Sequence, residues 1–77
     1  MTRPIYEIAK EIRNDWGDKL SLYARPYLNA MFSLSSINDN YYHDTGKSVV
    51  AYFLSNASSW RGETAKRVKA ELKEMLK

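Results

Sequence analysis

The residues that resemble a reaction or ligand site most closely lie in a polar segment near the middle of the chain. Gly46, Lys47 and Ser48 match the end of a phosphate-binding loop, in which free N–H groups at a helix start bind phosphate. The complete Walker motif also needs a glycine five positions before Gly46, and Tyr41 stands there. The segment therefore predicts no nucleotide loop, and leaves open a loose site for a small anionic ligand.

The same segment holds three potential metal ligands, Asp39, His43 and Asp44. Their spacing does not match a calcium-binding loop, and one histidine without cysteine is a poor zinc site. A serine nucleophile would need His43 as its base, and no pattern in the sequence brings the two together. We therefore expect no metal, no cofactor and no catalytic residue. We interpret these side chains as helix caps and as partners in the hydrogen bonds of a turn.

Two rows of charge lie near opposite ends of the chain. Carboxylates recur every four residues at Glu7, Glu11 and Asp15, which is typical of a solvated helix face, since acid–base catalysis would need one of them desolvated. A basic row follows near the C-terminus. It consists of Lys66, Lys69, Lys73 and Lys77. The two rows could face each other and so orient their helices.

The basic row also supports a functional interpretation. Together with Arg61, its lysines could neutralise the phosphates of a nucleic-acid backbone. Base recognition is less well supported, because a recognition helix presents Arg, Asn or Gln from its first half, and Glu63 lies there. Nucleic-acid binding without base readout therefore remains an alternative function.

Aromatic residues suggest a second kind of surface. The chain has 6 tyrosines beside 2 tryptophans and 2 phenylalanines. A buried tyrosine hydroxyl needs a partner, whereas at an interface the ring is covered while the hydroxyl stays in water. The predicted protein-binding surface comprises Tyr41, Tyr42, Trp60 and Arg61. Alternatively, the two tyrosines fold back over the core.

Apolar periodicity predicts the elements that position these residues. Apolar side chains recur at i, i+3, i+4 and i+7 in four segments, which predicts an all-α, compact bundle of about four short helices in one domain, 1–77. Thr2, Asp44 and Ser59 are predicted to cap the first, third and fourth helices. The predicted helices span about 3–16, 24–35, 45–57 and 60–76.

Length and composition set the remaining bounds. A core built from 77 residues without cysteine gives marginal stability, so the aromatic residues must supply much of the buried surface. No apolar run approaches the ~20 residues of a membrane-spanning helix, and we expect a cytoplasmic protein. The net charge of +3 suits either an acidic partner or ordinary solubility, and a homodimer is possible.

Four segments carry a resemblance to known proteins. They are Ile5–Ala9, Arg25–Met31, Tyr52–Ala57 and Trp60–Ala65. These segments resemble a family of short uncharacterised proteins carried by phages and integrative conjugative elements of Gram-positive bacteria, and the resemblance covers nearly the whole chain. It implies a mobile-element origin and a bacterial cytoplasm, and it carries over no catalytic residue. The sequence therefore predicts a small non-enzymatic accessory protein that binds a host or element protein.

Overall fold

The computed structural model describes residues 3–77, so Thr2, the predicted cap of the first helix, lies outside the described residues. Within that range the predicted mostly-α fold is confirmed. The helices are α1 (Ile5–Trp16), α2 (Arg25–Met31), α3 (Gly46–Ser55) and α4 (Glu63–Met75). A single 3-10 turn, Gly17–Lys19, follows α1. Two strands that the sequence did not predict, β1 (Asn40–Tyr41) and β2 (Asp44–Thr45), form an antiparallel hairpin before α3.

Helix α1 buries the face that its apolar spacing predicts. The buried residues are Ile5, Ile8, Ala9, Ile12 and Trp16. The first turn of a helix leaves N–H groups without partners inside the helix. Here the N–H groups of Ile5 and Tyr6 donate to the carbonyls of Ser35 and Leu34, at 3.1 and 2.9 Å. The start of α1 is therefore joined to the segment that follows α2.

Helix α2 is shorter than the prediction of 24–35. It begins at Arg25 with Pro26 in its first turn, where proline costs no hydrogen bond, and it ends at Met31. The next N–H groups, from Phe32 to Leu34, bond three residues back, so the chain tightens and leaves the helix. Because the chain leaves the helix here, the carbonyl of Leu34 is free to accept from α1.

Helix α3 begins where the hairpin ends. Thr45, not the predicted Asp44, caps it, since the Thr45 hydroxyl accepts from the Ser48 N–H at 3.1 Å. Gly46 lies against the chain at residues 36–37: a Cβ at Gly46 would stand 2.7 Å from the carbonyl oxygen of Ser36. Only glycine allows this approach. The contact places the hairpin beside the segment that is bonded to the start of α1.

Helix α4 begins at Glu63, three residues later than predicted, and Ser59 does not cap it. The N-cap is Gly62, which has no side-chain cap and takes φ 115° and ψ 179°. The Trp60 N–H bonds to the carbonyl of Ala57, so residues 57–60 form a turn of their own. Ala65, Val68 and Leu72 then pack into a single apolar cluster that all four helices share.

None of the helices in the described range is long and apolar enough to cross a membrane.

We expect Gly62→Ala to lower the free energy of unfolding by ~1–3 kcal/mol, because its backbone region is nearly exclusive to glycine. Apart from Gly62 and its two chain neighbours, no atom of residues 3–77 lies within 4 Å of the added methyl group, so the effect would come from the backbone alone. Urea unfolding measures it, with exposed Ser58→Ala as the control. Without backbone strain, replacing glycine by alanine would instead stabilise the protein by ~0.4–1 kcal/mol.

Candidate functional site

Trp60, which the sequence analysis placed on an exposed binding face, is a core residue. Its side chain is 2% exposed, and the prediction is wrong on this point. The indole stacks on Trp16 with ring centroids 5.7 Å apart and an interplanar angle of 15°. Its Nε1–H donates to Asp15 Oδ2 at 2.8 Å. The turn at residues 57–60 directs the indole onto the end of α1, and so removes it from the surface.

In residues 3–77 the acidic row of α1 does not pair with the lysine row: Glu7 pairs with Lys10, Asp15 accepts from Trp60, and Glu11 pairs with arginines. Glu11 contacts Arg67, and it also lies 2.8 Å from the guanidinium of Arg3. Arg3 in turn binds both carboxylate oxygens of Glu71, at 2.7 and 3.0 Å. The hydrogen bond from Arg67, supported by Arg3, lowers the pKa of Glu11, although partial burial acts in the opposite direction. These pairs fix α4 against α1.

The lysine row itself has little compensating charge. Lys77 pairs with Glu74 at 3.3 Å. Lys69 donates from Nζ to the carbonyl oxygen of Trp60 at 2.6 Å and lies 5.9 Å from the centre of that indole. Lys66 and Lys73 are exposed, and in residues 3–77 neither has a carboxylate within 4.0 Å. The acidic row is therefore engaged by other residues, and Lys66 and Lys73 have no ion pair in this range.

Arg61 is exposed beside this row. It lines a shallow, open cleft together with Lys19, Asp15 and the edges of the two stacked indoles. Burial lowers the pKa of Lys69, and the nearby charges of Lys73 and Arg61 lower it further. Lys73 and Arg61 therefore each lie close enough to Lys69 to repel its charge.

The hairpin separates its two tyrosines. Tyr41 is partly buried and packs against the core. The alternative prediction, in which the tyrosines fold back over the core, is therefore correct for Tyr41. Tyr42 occupies the tip and is 86% exposed. Its ring meets the Tyr41 ring edge to face, with centroids 4.7 Å apart and an interplanar angle of 78°. Tyr42 also takes φ 55°, a left-handed conformation that is rare for a bulky residue.

The structure does not bring the two halves of the predicted protein-binding surface together. The hairpin is joined through residues 35–37 to the start of α1. Arg61 lies instead beside Asp15 and Trp16, at the end of that helix. A helix of 12 residues rises ~18 Å, so Tyr42 and Arg61 belong to separate surfaces.

The start of α3 does not provide the anion site that Gly46, Lys47 and Ser48 left open. All three N–H groups already have acceptors within the protein, so none is free for a ligand. The acceptors are the carbonyls of Asp39 and Ile37 and the hydroxyl of Thr45, at 2.6, 3.0 and 3.1 Å.

The polar residues of the loop serve the turn. The Asp39 carboxylate accepts from the N–H groups of Ser35 and Ser36, at 2.8 and 3.3 Å. In residues 3–77 the structure contains no cluster of three His, Cys, Asp or Glu side chains that could hold a metal ion.

One exposed aromatic surface escaped the sequence analysis. Leu22 and Tyr23 are 71% and 78% exposed in the turn before α2. Tyr27 stacks on Tyr52 of α3, with ring centroids 5.6 Å apart. In the sequence Leu20 and Leu22 alternate as they would in a strand, and this pattern hides the turn. The spacing of four residues between Tyr23 and Tyr27 is the signal from which a helical turn could have been predicted.

Comparison of the chain with known protein families, with curated proteins and with solved structures found no match.

We expect Tyr42→Asn to be at least as stable as the wild type and about 1 kcal/mol more stable than Tyr42→Ala. Asparagine tolerates the left-handed region, whereas alanine keeps the backbone strain. Both variants lose the ring contact with Tyr41, so their difference isolates the backbone conformation. Urea unfolding at pH 7 is the measurement. An asparagine variant that unfolds before the alanine variant would show that Tyr42 is not strained.

We expect Glu11→Gln to lower the free energy of unfolding by about 1 kcal/mol at pH 7 and to reduce its pH dependence. Since the pKa of Glu11 is lower in the folded state, its contribution is present above the ordinary value of 4.5 and is lost as the pH falls below it. Urea unfolding at pH 7 and pH 3 compares wild type, Glu11→Gln and the control Glu7→Gln. Equal pH dependence in all three would contradict the Glu11 pairing.

Proposed function

We propose that this protein acts by binding another protein through the tip of its hairpin, with Tyr42 as the central contact. The observation that carries the proposal is a large aromatic residue held almost fully exposed at positive φ. Such a conformation costs about 1–3 kcal/mol for a residue other than glycine. Tyr42 is 86% exposed and so offsets little of this cost by burial, which favours a role for the side chain outside folding.

The surroundings of Tyr42 suit a protein partner. Tyr41 packs partly on the core and meets the Tyr42 ring edge to face, so the exposed ring has a fixed neighbour. Tyrosine is enriched at interface hot spots, because its ring buries a large area at a small cost in conformational entropy. The remaining exposed residues of the hairpin include Asp44 and no lysine or arginine, which disfavours phosphate as the ligand. The proposal therefore concerns a protein surface with an apolar depression.

The origin of the partner follows from the resemblance to mobile-element proteins. On that basis we propose a host protein or another protein of the element, bound in a bacterial cytoplasm without catalysis. A second copy of the chain remains a possible partner, and it would give a dimer that depends on Tyr42.

A capture experiment with matched variants tests this proposal. Wild type, Tyr42→Asn and the control Tyr23→Asn are immobilised and exposed to a lysate of a Gram-positive bacterium. Tyr23 is 78% exposed but lies on a different element, so its variant controls for loss of an exposed tyrosine ring. We expect a protein bound by wild type and Tyr23→Asn to be lost from Tyr42→Asn. Because asparagine is expected to leave the fold stable, unfolding would not explain the loss.

Titration of the purified partner then gives the magnitude. A hot-spot residue contributes at least ~2 kcal/mol, so we expect Tyr42→Asn to weaken binding by at least about 30-fold. Sedimentation of the protein alone tests the dimer. Identical capture by wild type and Tyr42→Asn, together with a monomer at all concentrations, would refute the proposal.

A further inference from the structure

The lysines of α4 form a ridge together with Arg61, and we call this set, Arg61, Lys66, Lys69 and Lys73, the basic ridge. Residues three and four positions apart share a helix face, and Lys66 to Lys73 spans a rise of ~10 Å. Arg61 joins this row because Lys69 is bonded to the carbonyl of the preceding residue, Trp60. The ridge is thus one continuous surface and not a set of scattered charges.

In residues 3–77 no charged group of the ridge has a carboxylate within 4.0 Å. The bond to Trp60 fixes the Lys69 ammonium, so it cannot move far from Lys73 and Arg61. In the described residues the ion pairs around α4 have Arg3, Arg67 and Lys77 as their cations. None of them uses a residue of the ridge. Adjacent like charges oppose folding, so an occupant that carries several negative charges would relieve a repulsion that the fold leaves in place.

The side chains around the ridge discriminate between kinds of polyanion. A helix that binds a membrane surface inserts its apolar face between lipids. The apolar face of α4 is at most 1% exposed at Ala65, Val68 and Leu72, so most of this face is already packed in the core and cannot insert into a membrane. An acidic protein would also require an aromatic or apolar anchor, and Trp60 is buried. A nucleic-acid backbone needs only positive charge along a row.

We propose that the basic ridge binds the phosphate backbone of duplex nucleic acid without reading its bases. Phosphates of one strand advance by ~3.4 Å along the duplex axis, so the ridge matches about three of them. Glu63 in the first turn of α4 opposes close approach to base edges. This contact is independent of the hairpin proposal, because the two surfaces share no residue.

A salt titration with a fluorescently labelled 20-base-pair duplex of random sequence tests the ridge. Binding to about three phosphates predicts a slope of about −2.7 for the logarithm of affinity against the logarithm of salt concentration. Affinity should then fall by about 40-fold between 50 and 200 mM salt. Fluorescence anisotropy is the readout.

Two double variants with the same net charge separate the ridge from general basicity. Lys66→Gln/Lys73→Gln removes two exposed ridge charges and leaves Lys69 on Trp60. Its control, Lys10→Gln/Lys47→Gln, removes two exposed lysines from α1 and α3. Glutamine retains helix propensity, and circular dichroism confirms folding in each case. We expect the ridge variant, which keeps Arg61 and Lys69, to lose at most about 12-fold in affinity over the same salt range, from a weaker starting point, while the control keeps the wild-type slope.

Several results would overturn the inference. The first is that wild type shows no salt-dependent binding to the duplex at 50 mM salt. The second is that the two double variants lose affinity equally. The third is that the ridge binds phosphatidylserine vesicles but not the duplex. Wild type alone decides the first of these, so the test does not depend on the folding of any variant.

Discussion

The stacking of Trp60 on Trp16 is the contact on which the rest of the structure depends. Trp16 ends α1, and Phe53 of α3 meets its ring edge to face at a centroid distance of 6.3 Å. Trp60 covers a further part of Trp16 from the segment that leads into α4. Three helices are thus joined at one indole. In a chain this short, the burial of two large aromatic rings supplies stabilisation that a disulfide or a metal supplies in other small domains.

Polar contacts on both sides of Trp60 make this stack specific. The indole N–H has an acceptor in Asp15, so burying the ring leaves no donor unpaired. The ammonium group of Lys69 donates a hydrogen bond to the backbone carbonyl of Trp60. One lysine of the basic ridge is thereby held in place by the core, and Arg61 follows Trp60 directly in the chain. The packing of the core and the arrangement of the surface charge therefore have the same origin.

Arginine and lysine divide the charge of the molecule between fold and surface. Arg3 and Arg67 converge on Glu11, and Arg3 also holds Glu71 through two parallel bonds. The planar guanidinium suits such shared pairing, whereas an ammonium group acts as a point charge and stays hydrated. Arg3 and Arg67 thus align α4 with α1, and Lys66 and Lys73 are left for solvent or for a ligand. Net charge alone does not reveal this division.

Local physics made the helices predictable, and long-range contacts made their ends and the site unpredictable. The helical period of the apolar residues in α1 is visible in the sequence from Ile5 to Trp16, because one face of this helix packs in the core. The hairpin was not predicted because two-residue strands leave no periodic signal. The burial of Trp60 was not predicted because its partner, Trp16, lies 44 residues away in the sequence. The exposure and the backbone conformation of Tyr42 could not be predicted from the sequence, because both depend on its position at the tip of the hairpin.

Hydrogen exchange of the Trp60 indole N–H, measured by NMR, tests the central role of the stack most directly. If the stack joins the helices, this proton exchanges only through global unfolding, and the two indoles show mutual nuclear Overhauser effects. Exchange as fast as in the unfolded chain, without contacts between Trp16 and Trp60, would contradict the account and return Trp60 to the surface.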